Sequence, residues 1–257
     1  MILTADYHTH TPYSHGQNTV AENVQRAKEL GMKEVGITDH GFLQLSMGLK
    51  RKELPAFLQE CTDAEKEYGI RVLKGMEANI LGEDGETDMT EKDYEKFDLF
   101  VCGKHVFIKY STMRDFNYYL FGNFLTYHFH LKPKQKLIDF NTKAYINMIK
   151  NNPVDIVSHL CYQAPADALE VAKCAADYGT YIELNTKKKH LTDEQLLQML
   201  GTKVRFVIDS DAHTASRVGD TKLVEEQLAR INFPMDRIDN IDGRLPNFRF
   251  TEYKKRM

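Results

Sequence analysis

Short apolar runs rich in β-branched residues alternate along the chain with longer stretches whose hydrophobic positions recur at helical spacing. The runs Ile2–Tyr7, Lys33–Thr38, Ile70–Met76, Phe97–Cys102, Val154–Ser158, Thr180–Leu184 and Val204–Ile208 read as seven strands. Between the first two, Thr19–Leu30 sets Val20, Val24, Ala27 and Leu30 on one face and is followed by Gly31, a C-terminal cap. Glu53–Tyr68 ends at Gly69 in the same way. Further helices are expected over Lys136–Lys150, Pro165–Tyr178, Thr192–Leu200 and Thr221–Arg230. Helix, glycine and strand in repeated order mark βα units, and this many units close into a barrel more readily than they extend an open sheet. The pattern predicts an α/β barrel.

Two stretches break the alternation. Leu81–Glu95 is acidic, contains Gly82 and Gly85, and reads as a loop or hairpin after the third strand. Phe107–Lys134 is too long for an ordinary loop and is crowded with Phe116, Tyr118, Tyr119, Phe121, Phe124, Tyr127 and Phe129, together with His128 and His130. It is expected to form a lid or an interface; His128 and His130 could be lid ligands or substrate contacts, though an aromatic-rich insert more often simply packs on the barrel mouth. No Pro/Ser/Gly-rich linker divides the chain, so residues 1–257 are expected to form one domain. The basic tail Arg244–Met257 is expected to pack loosely.

Composition narrows the class without naming it. The chain has 257 residues, 42% hydrophobic and 28% charged, which suits one large core. A net charge of −3 provides no global basic field, so a long nucleic-acid partner is disfavoured. The start, Met1-Ile2-Leu3-Thr4-Ala5-Asp6, lacks a basic segment followed by an apolar run, and no apolar stretch approaches ~18 residues. A cytoplasmic, unanchored protein is expected. Cys61, Cys102, Cys161 and Cys174 are scattered, and reduced thiols are expected rather than a zinc knuckle or a disulfide framework.

The candidate chemistry lies at the strand ends. Residues two apart on a strand face the same side, so His8 and His10 can converge on one point. The second strand is followed by Asp39 and His40, the third by Glu77, the fourth by His105, the fifth by His159, the sixth reaches Asn185, and the seventh is followed by Asp211 and His213; His15 lies in the first loop. In parallel βα barrels these ends converge on the active site. A lone histidine in a loop is usually a surface or packing residue; seven histidines with Glu77 and Asp211 at one end of a barrel are not readily an accident. Imidazole and carboxylate without thiolate suit zinc, manganese or iron. There are more donors than one tetrahedral ion uses, and Glu77 could bridge two ions.

His8-x-His10, Thr38-Asp39-His40, Gly75-Met76-Glu77, His105, Ser158-His159 and Asp209-Ser210-Asp211-Ala212-His213 together resemble the PHP family, named for polymerase and histidinol phosphatase. The likeness covers almost the whole chain, and the order and strand positions of the motifs make it specific. Lys74–Ile80 and Asp84–Asp88 resemble its small stand-alone phosphatases, whereas Thr11–Gly16 is similar to the histidinol-phosphatase branch. The resemblance implies a distorted (β/α)7, TIM-like barrel with three divalent transition-metal ions. It implies one ion held by His8, His10, Glu77 and Asp211, a second by Glu77, His105 and His159, and a third by His15, His40 and His213. The chain departs from the pattern at Leu160-Cys161, where relatives often carry proline and glycine, and in the insert after His105, which has no counterpart.

The expected activity is hydrolysis of a phosphate monoester of a small metabolite, a metal-bound hydroxide attacking phosphorus in line. Arg217, four residues after His213, and Lys104, beside His105, are the cationic candidates for the phosphoryl oxygens. Asp39 is expected to orient a histidine, with Asp6 a weaker candidate for the same role. Lys187-Lys188-Lys189, followed by His190, reads as a solvated loop. Histidinol phosphate is one specific substrate. Two other readings are phosphodiester cleavage of the exonuclease kind, which the lack of a basic footprint disfavours, and a non-catalytic, metal-stabilised binding module.

Overall fold

The computed structural model describes residues 1–257. Seven parallel strands form where apolar runs were read: β1 (Ala5–Asp6), β2 (Glu34–Ile37), β3 (Arg71–Asn79), β4 (Leu99–Gly103), β5 (Ile156–Val157), β6 (Tyr181–Asn185) and β7 (Phe206–Asp209). Each pairs with the next, in the order β1 to β7. The expected α/β barrel is therefore present, and its distortion has a visible cause. The first half of β3 pairs with β2 (Ile37 opposite Lys74) and the second half with β4 (Gly75 opposite Leu99), so the sheet steps in mid-strand. The seam between β7 and β1 closes above the strands, through a Thr9–Ala212 bridge in which His10 N donates to Ala212 O (2.8 Å) and Ala212 N to His8 O (3.1 Å). Closing the seam there draws the two ends of the chain's motif set together.

Helices α1 (Val20–Glu29), α2 (Leu54–Tyr68), α6 (Gln135–Asn151), α7 (Ala168–Tyr178), α8 (Asp193–Met199) and α9 (Lys222–Arg230) surround the strands, close to the predicted ranges. Thr19 and Glu22 form a reciprocal cap at the start of α1, worth about 1 kcal/mol. Gly69 and Gly179 end α2 and α7 with φ of 65° and 70°, a left-handed turn that a Cβ would oppose. The stretch after β3 is a hairpin (Ile80 bridges Thr87) followed by the single turn α3 (Glu91–Tyr94).

The aromatic insert is helical throughout its centre: α4 (Met113–Phe116), a π-helical stretch (Asn117–Asn123) and α5 (Phe124–His128). Tyr119 is buried, whereas Phe107, Met113, Phe121 and Phe129 are exposed.

The expectation of a loose tail is overturned. Helix α10 (Arg249–Lys254) seats Phe250 in the core, edge-on to Tyr94 and Phe100 with ring centroids 5.1 and 5.7 Å away. Phe248 meets Tyr7 and Tyr181 in the small cluster inside the barrel. The surrounding lysines and arginines obscured two aromatics spaced so that both turn inward. The strand faces that supply this interior cluster continue upward into polar residues: Tyr181 leads to Glu183 and Asn185 on β6, and Leu73 to Glu77 on β3. The barrel is thus apolar at one end and a concentration of donors at the other. No helix is long and apolar enough to cross a membrane.

Candidate metal centre and active site

Glu77 is the hub. It lies inside β3 rather than after it, fully buried, because the longer strand carries its inward-facing row one step beyond Met76. Its Oε1 is 2.7 Å from His159 Nε2 and 3.1 Å from His105 Nε2. Its Oε2 is 2.8 Å from His40 Nδ1 and 3.2 Å from His8 Nε2. His8 and His10 bring their Nε2 atoms within 3.1 Å of each other, and His10 Nε2 lies 3.3 Å from Asp211 Oδ1. His213 Nε2 is 2.7 Å from His15 Nε2, and the His15 ring stacks on His40 at 4.8 Å. All nine residues named from sequence therefore meet at one end of the barrel. His40 differs in detail: its Nδ1 faces Glu77, and the residue is grouped both with Glu77 and His105 and with His10 and His213, so it lies between two of the expected sets.

The contacts around Glu77 are not all satisfied as hydrogen bonds. Glu77 Oε2, His40 Nδ1 and His105 Nε2 are buried and lack a partner of adequate geometry. Leaving such atoms unpaired costs about 1–3 kcal/mol each. Imidazoles and two carboxylates aimed inward, with Glu77 Oε2 lacking any protein donor, fit a set of divalent cations. The electrostatics agree. Burial and neighbouring imidazoles lower His10 well below its usual range, and burial lowers His15 to about 4 and His40 to about 3. Burial would raise Glu77, but His105, His8, His40 and His159 hold it well below the carboxylate range. Asp211 is likewise held ionised against its burial, chiefly by His8 and His10. Burial would lower His8, yet Glu77, Glu183 and Asp211 raise it well above its ordinary value.

A surrounding layer fixes these side chains. Glu183 Oε1 binds His8 Nδ1 at 2.5 Å, leaving Nε2 to face the centre, and Glu183 Oε2 accepts from His159 N at 2.5 Å. Asn79 Oδ1 holds His105 Nδ1 at 2.7 Å, and Asp88 in turn takes both Asn79 N and Nδ2 at 2.7 Å. Asp39 accepts from Thr11 N (2.8 Å), Thr11 Oγ1 (2.5 Å) and Ser14 Oγ, and Ser14 Oγ lies 3.4 Å from His10 Nδ1. Asp39 thus shapes the loop carrying His15 instead of touching a histidine directly. Asp6 accepts from His8 N, Ser210 N and Gly219 N, tying β1 to the loop after β7. Asn185 donates to Glu183 Oε2 and Asp211 Oδ2. His159 and Asp211 both have positive φ (27° and 48°), a conformation rare for non-glycine residues and held here by this network. At Gly103 an added Cβ would lie 2.1 Å from Ser158 Oγ and 3.0 Å from His159 Cε1, so the fourth strand approaches the centre only as glycine.

The cationic candidates are redistributed. Lys104 is not at the cavity: it is 3% exposed, bonds Asn141 Oδ1 (2.9 Å) and lies 3.0 Å above the Tyr119 ring. Its neighbour His105 turns toward the centre, so Lys104, one residue earlier, turns into the insert. Arg217 pairs with Asp220 (3.0 Å) and reaches Thr186 O, without lining the cavity. The cation present is Lys187, whose Nζ is 3.1 Å from Asp211 Oδ1 and 3.1 Å from His213 Nδ1. The three lysines are exposed, as a solvated run would be, yet Lys188 Nζ donates to Tyr162 Oη (3.0 Å) and His190 is anchored between Leu160 O and Asn185 N. Burial lowers His190 to about 4. A run of lysines carries no mark of which one turns inward. Glu183 did carry a signal, a carboxylate in the middle of a buried strand.

Above the centre a cavity of about 390 Å³ opens, lined by Lys187 and by Phe107, Phe124, Tyr127 and His128 of the insert region. His130 is not among its lining residues.

Residues 6–187 match the PHP domain family. A probable phosphatase from Caldanaerobacter subterraneus subsp. tengcongensis is 30% identical over 254 residues, 93% of this chain and 87% of that protein. One from Proteus mirabilis is 29% identical over 266 residues, covering 95% and 92% of the two chains. Among solved structures, the histidinol phosphate phosphatase from Lactococcus lactis, complexed with zinc, L-histidinol and phosphate, superposes with a TM-score of 0.63 at 17% identity, covering 96% of this chain and all of that one. At that identity the likeness concerns the fold.

Proposed function

The chain belongs to the PHP domain family and is a phosphatase-type enzyme; we propose that it hydrolyses phosphate monoesters of small metabolites at the centre built around Glu77. The observation that carries this reading is a buried carboxylate with both oxygens faced by imidazoles and one of them unpaired. In this proposal His8, His10, Glu77 and Asp211 hold one ion, Glu77, His105 and His159 a second, and His15, His40 and His213 a third, with His40 also within reach of the second. Zinc, manganese or iron suits this oxygen and nitrogen set. Such ions supply an activated water and neutralise phosphoryl charge. Lys187, beside Asp211 and His213, is placed to take a non-bridging phosphoryl oxygen, the role expected of Arg217 or Lys104. Glu183 and Asn79 keep His8 and His105 turned with their free nitrogens inward. Tyr162 and the insert narrow the mouth above them.

The test is metal analysis paired with a phosphate-release screen that includes histidinol phosphate and a matched monoester and diester pair. Bound transition metal with monoester turnover is the expected result. Diester preference would replace this reading with a phosphodiesterase, and a metal-loaded protein inert on the whole panel would favour a binding module.

A further inference from the structure

The mouth of the cavity is built differently from its base. From His159 at the centre, rings follow one another outward: Tyr162 lies 5.7 Å from His159, and Tyr127 of α5 lies 5.6 Å from Tyr162. Phe124 and His128, one helical turn apart, stack at 4.8 Å with planes 15° apart, and Phe107 stands edge-on to Phe124 at 6.3 Å. All these rings are among the residues that line the cavity. The charge of the mouth is equally one-sided. Lys187 and Lys188 line it, and the one carboxylate that does so, Asp211, belongs to the centre and is already engaged by Lys187. Lys188 is held at the rim by Tyr162.

We propose that this mouth selects phosphate monoesters whose leaving group is a flat, uncharged aromatic ring and disfavours those bearing an amine. The inference rests on the reading of the Glu77 centre as a phosphatase site. With the phosphoryl group at Lys187, the leaving group extends toward Tyr162, Tyr127 and Phe124. A flat ring gains offset or edge-on contacts there, while a puckered ring of equal bulk loses them. An ammonium in the same place meets Lys188 and no free carboxylate. Histidinol phosphate, which carries an amine, falls in the disfavoured group.

The experiment compares kcat/KM of the manganese-loaded chain for benzyl phosphate, cyclohexylmethyl phosphate and 4-(aminomethyl)benzyl phosphate, whose leaving groups are primary alcohols of similar basicity. Calorimetric binding of the three corresponding phosphonates gives a readout independent of turnover. Benzyl phosphate is expected to exceed each of the others about tenfold. Phe124→Leu and Tyr127→Leu should bring the benzyl and cyclohexylmethyl values together, Phe124→Tyr should retain the preference, and Lys188→Met should relieve the penalty on the amine. Equal turnover of all three esters, or a preference untouched by both leucine variants, overturns the proposal while leaving the phosphatase reading intact. Selective phosphonate binding without hydrolysis of any ester supports the mouth's selectivity and overturns the phosphatase reading instead.

Discussion

The centre and the mouth of this molecule lie within one cavity, yet they are held in different ways. Ligand-type residues of the centre come from β3 and from the loops after five of the seven strands, and most are buried and gripped by a second residue, as Glu183 grips His8 and Asn79 grips His105. The mouth comes mainly from one insert and the loop after β5, and its rings are partly exposed. The insert is fastened to the barrel by Lys104 beneath Tyr119 and by the reciprocal Asn123–Asn141 pair. A site assembled from every strand resists piecemeal change; a site assembled from one insert can be altered without disturbing the chemistry. The difference separates what the fold does from what this particular chain does with it.

The comparison can be broken most severely at the hub. Glu77→Gln is expected to lower metal content and to reduce phosphate release at least about a thousandfold, since several kcal/mol of charge stabilisation depend on the centre. Circular dichroism should remain that of the folded chain. Near-normal activity with normal metal content in this variant would refute the centre as placed.

At the opposite end of the barrel, Phe250→Ala should cost about 3–5 kcal/mol of stability by emptying a fully buried site. Activity per folded molecule should be retained. Chemical denaturation and an active-fraction measurement together check this, and a loss of specific activity matching that of Glu77→Gln would erase the distinction between the barrel's two ends.

Glu183→Gln sharpens the contrast, because Gln preserves shape but weakens the grip on His8. A 10–100-fold loss in metal affinity or activity is expected, read by metal titration. Lys187→Met should act more mildly still, raising KM about tenfold through one charge-assisted contact, with metal content unchanged.

The smallest effect concerns pH. Asp155, beneath the barrel, accepts from Phe100 N and Phe250 N, and its burial raises it to about 7 from the usual value near 4. Because its folded value is raised, the stability it contributes is fully present below about pH 4 and is lost as pH rises toward 7. Thermal midpoints of the wild type should therefore fall by a few degrees between pH 5 and pH 8 from this group, and Asp155→Asn should flatten that part of the slope. An identical slope in the variant would remove Asp155 from the account.

The tail teaches how a polar stretch misleads. Its net basic character dominated the reading of Arg244–Met257, whereas Phe248 and Phe250 decide its position. Lys104 and Lys187 make the same point in opposite directions. One lysine, beside His105 and just past the end of β4, is held under the insert by Asn141 and Tyr119, and one in a charged run reaches Asp211.

What the sequence settled alone was periodic and local: the βα succession, the helix caps, and the nine ligand-type residues at strand ends, because strand period and donor chemistry are properties of neighbouring positions. The tertiary structure decided which groups meet across the barrel. Glu183 under His8, His40 between two sets of donors, Lys187 beside Asp211 and His213, and the rings at the mouth all depend on register, seam closure and the packing of an insert. Those are relations between residues distant in the chain, and no local pattern encodes them.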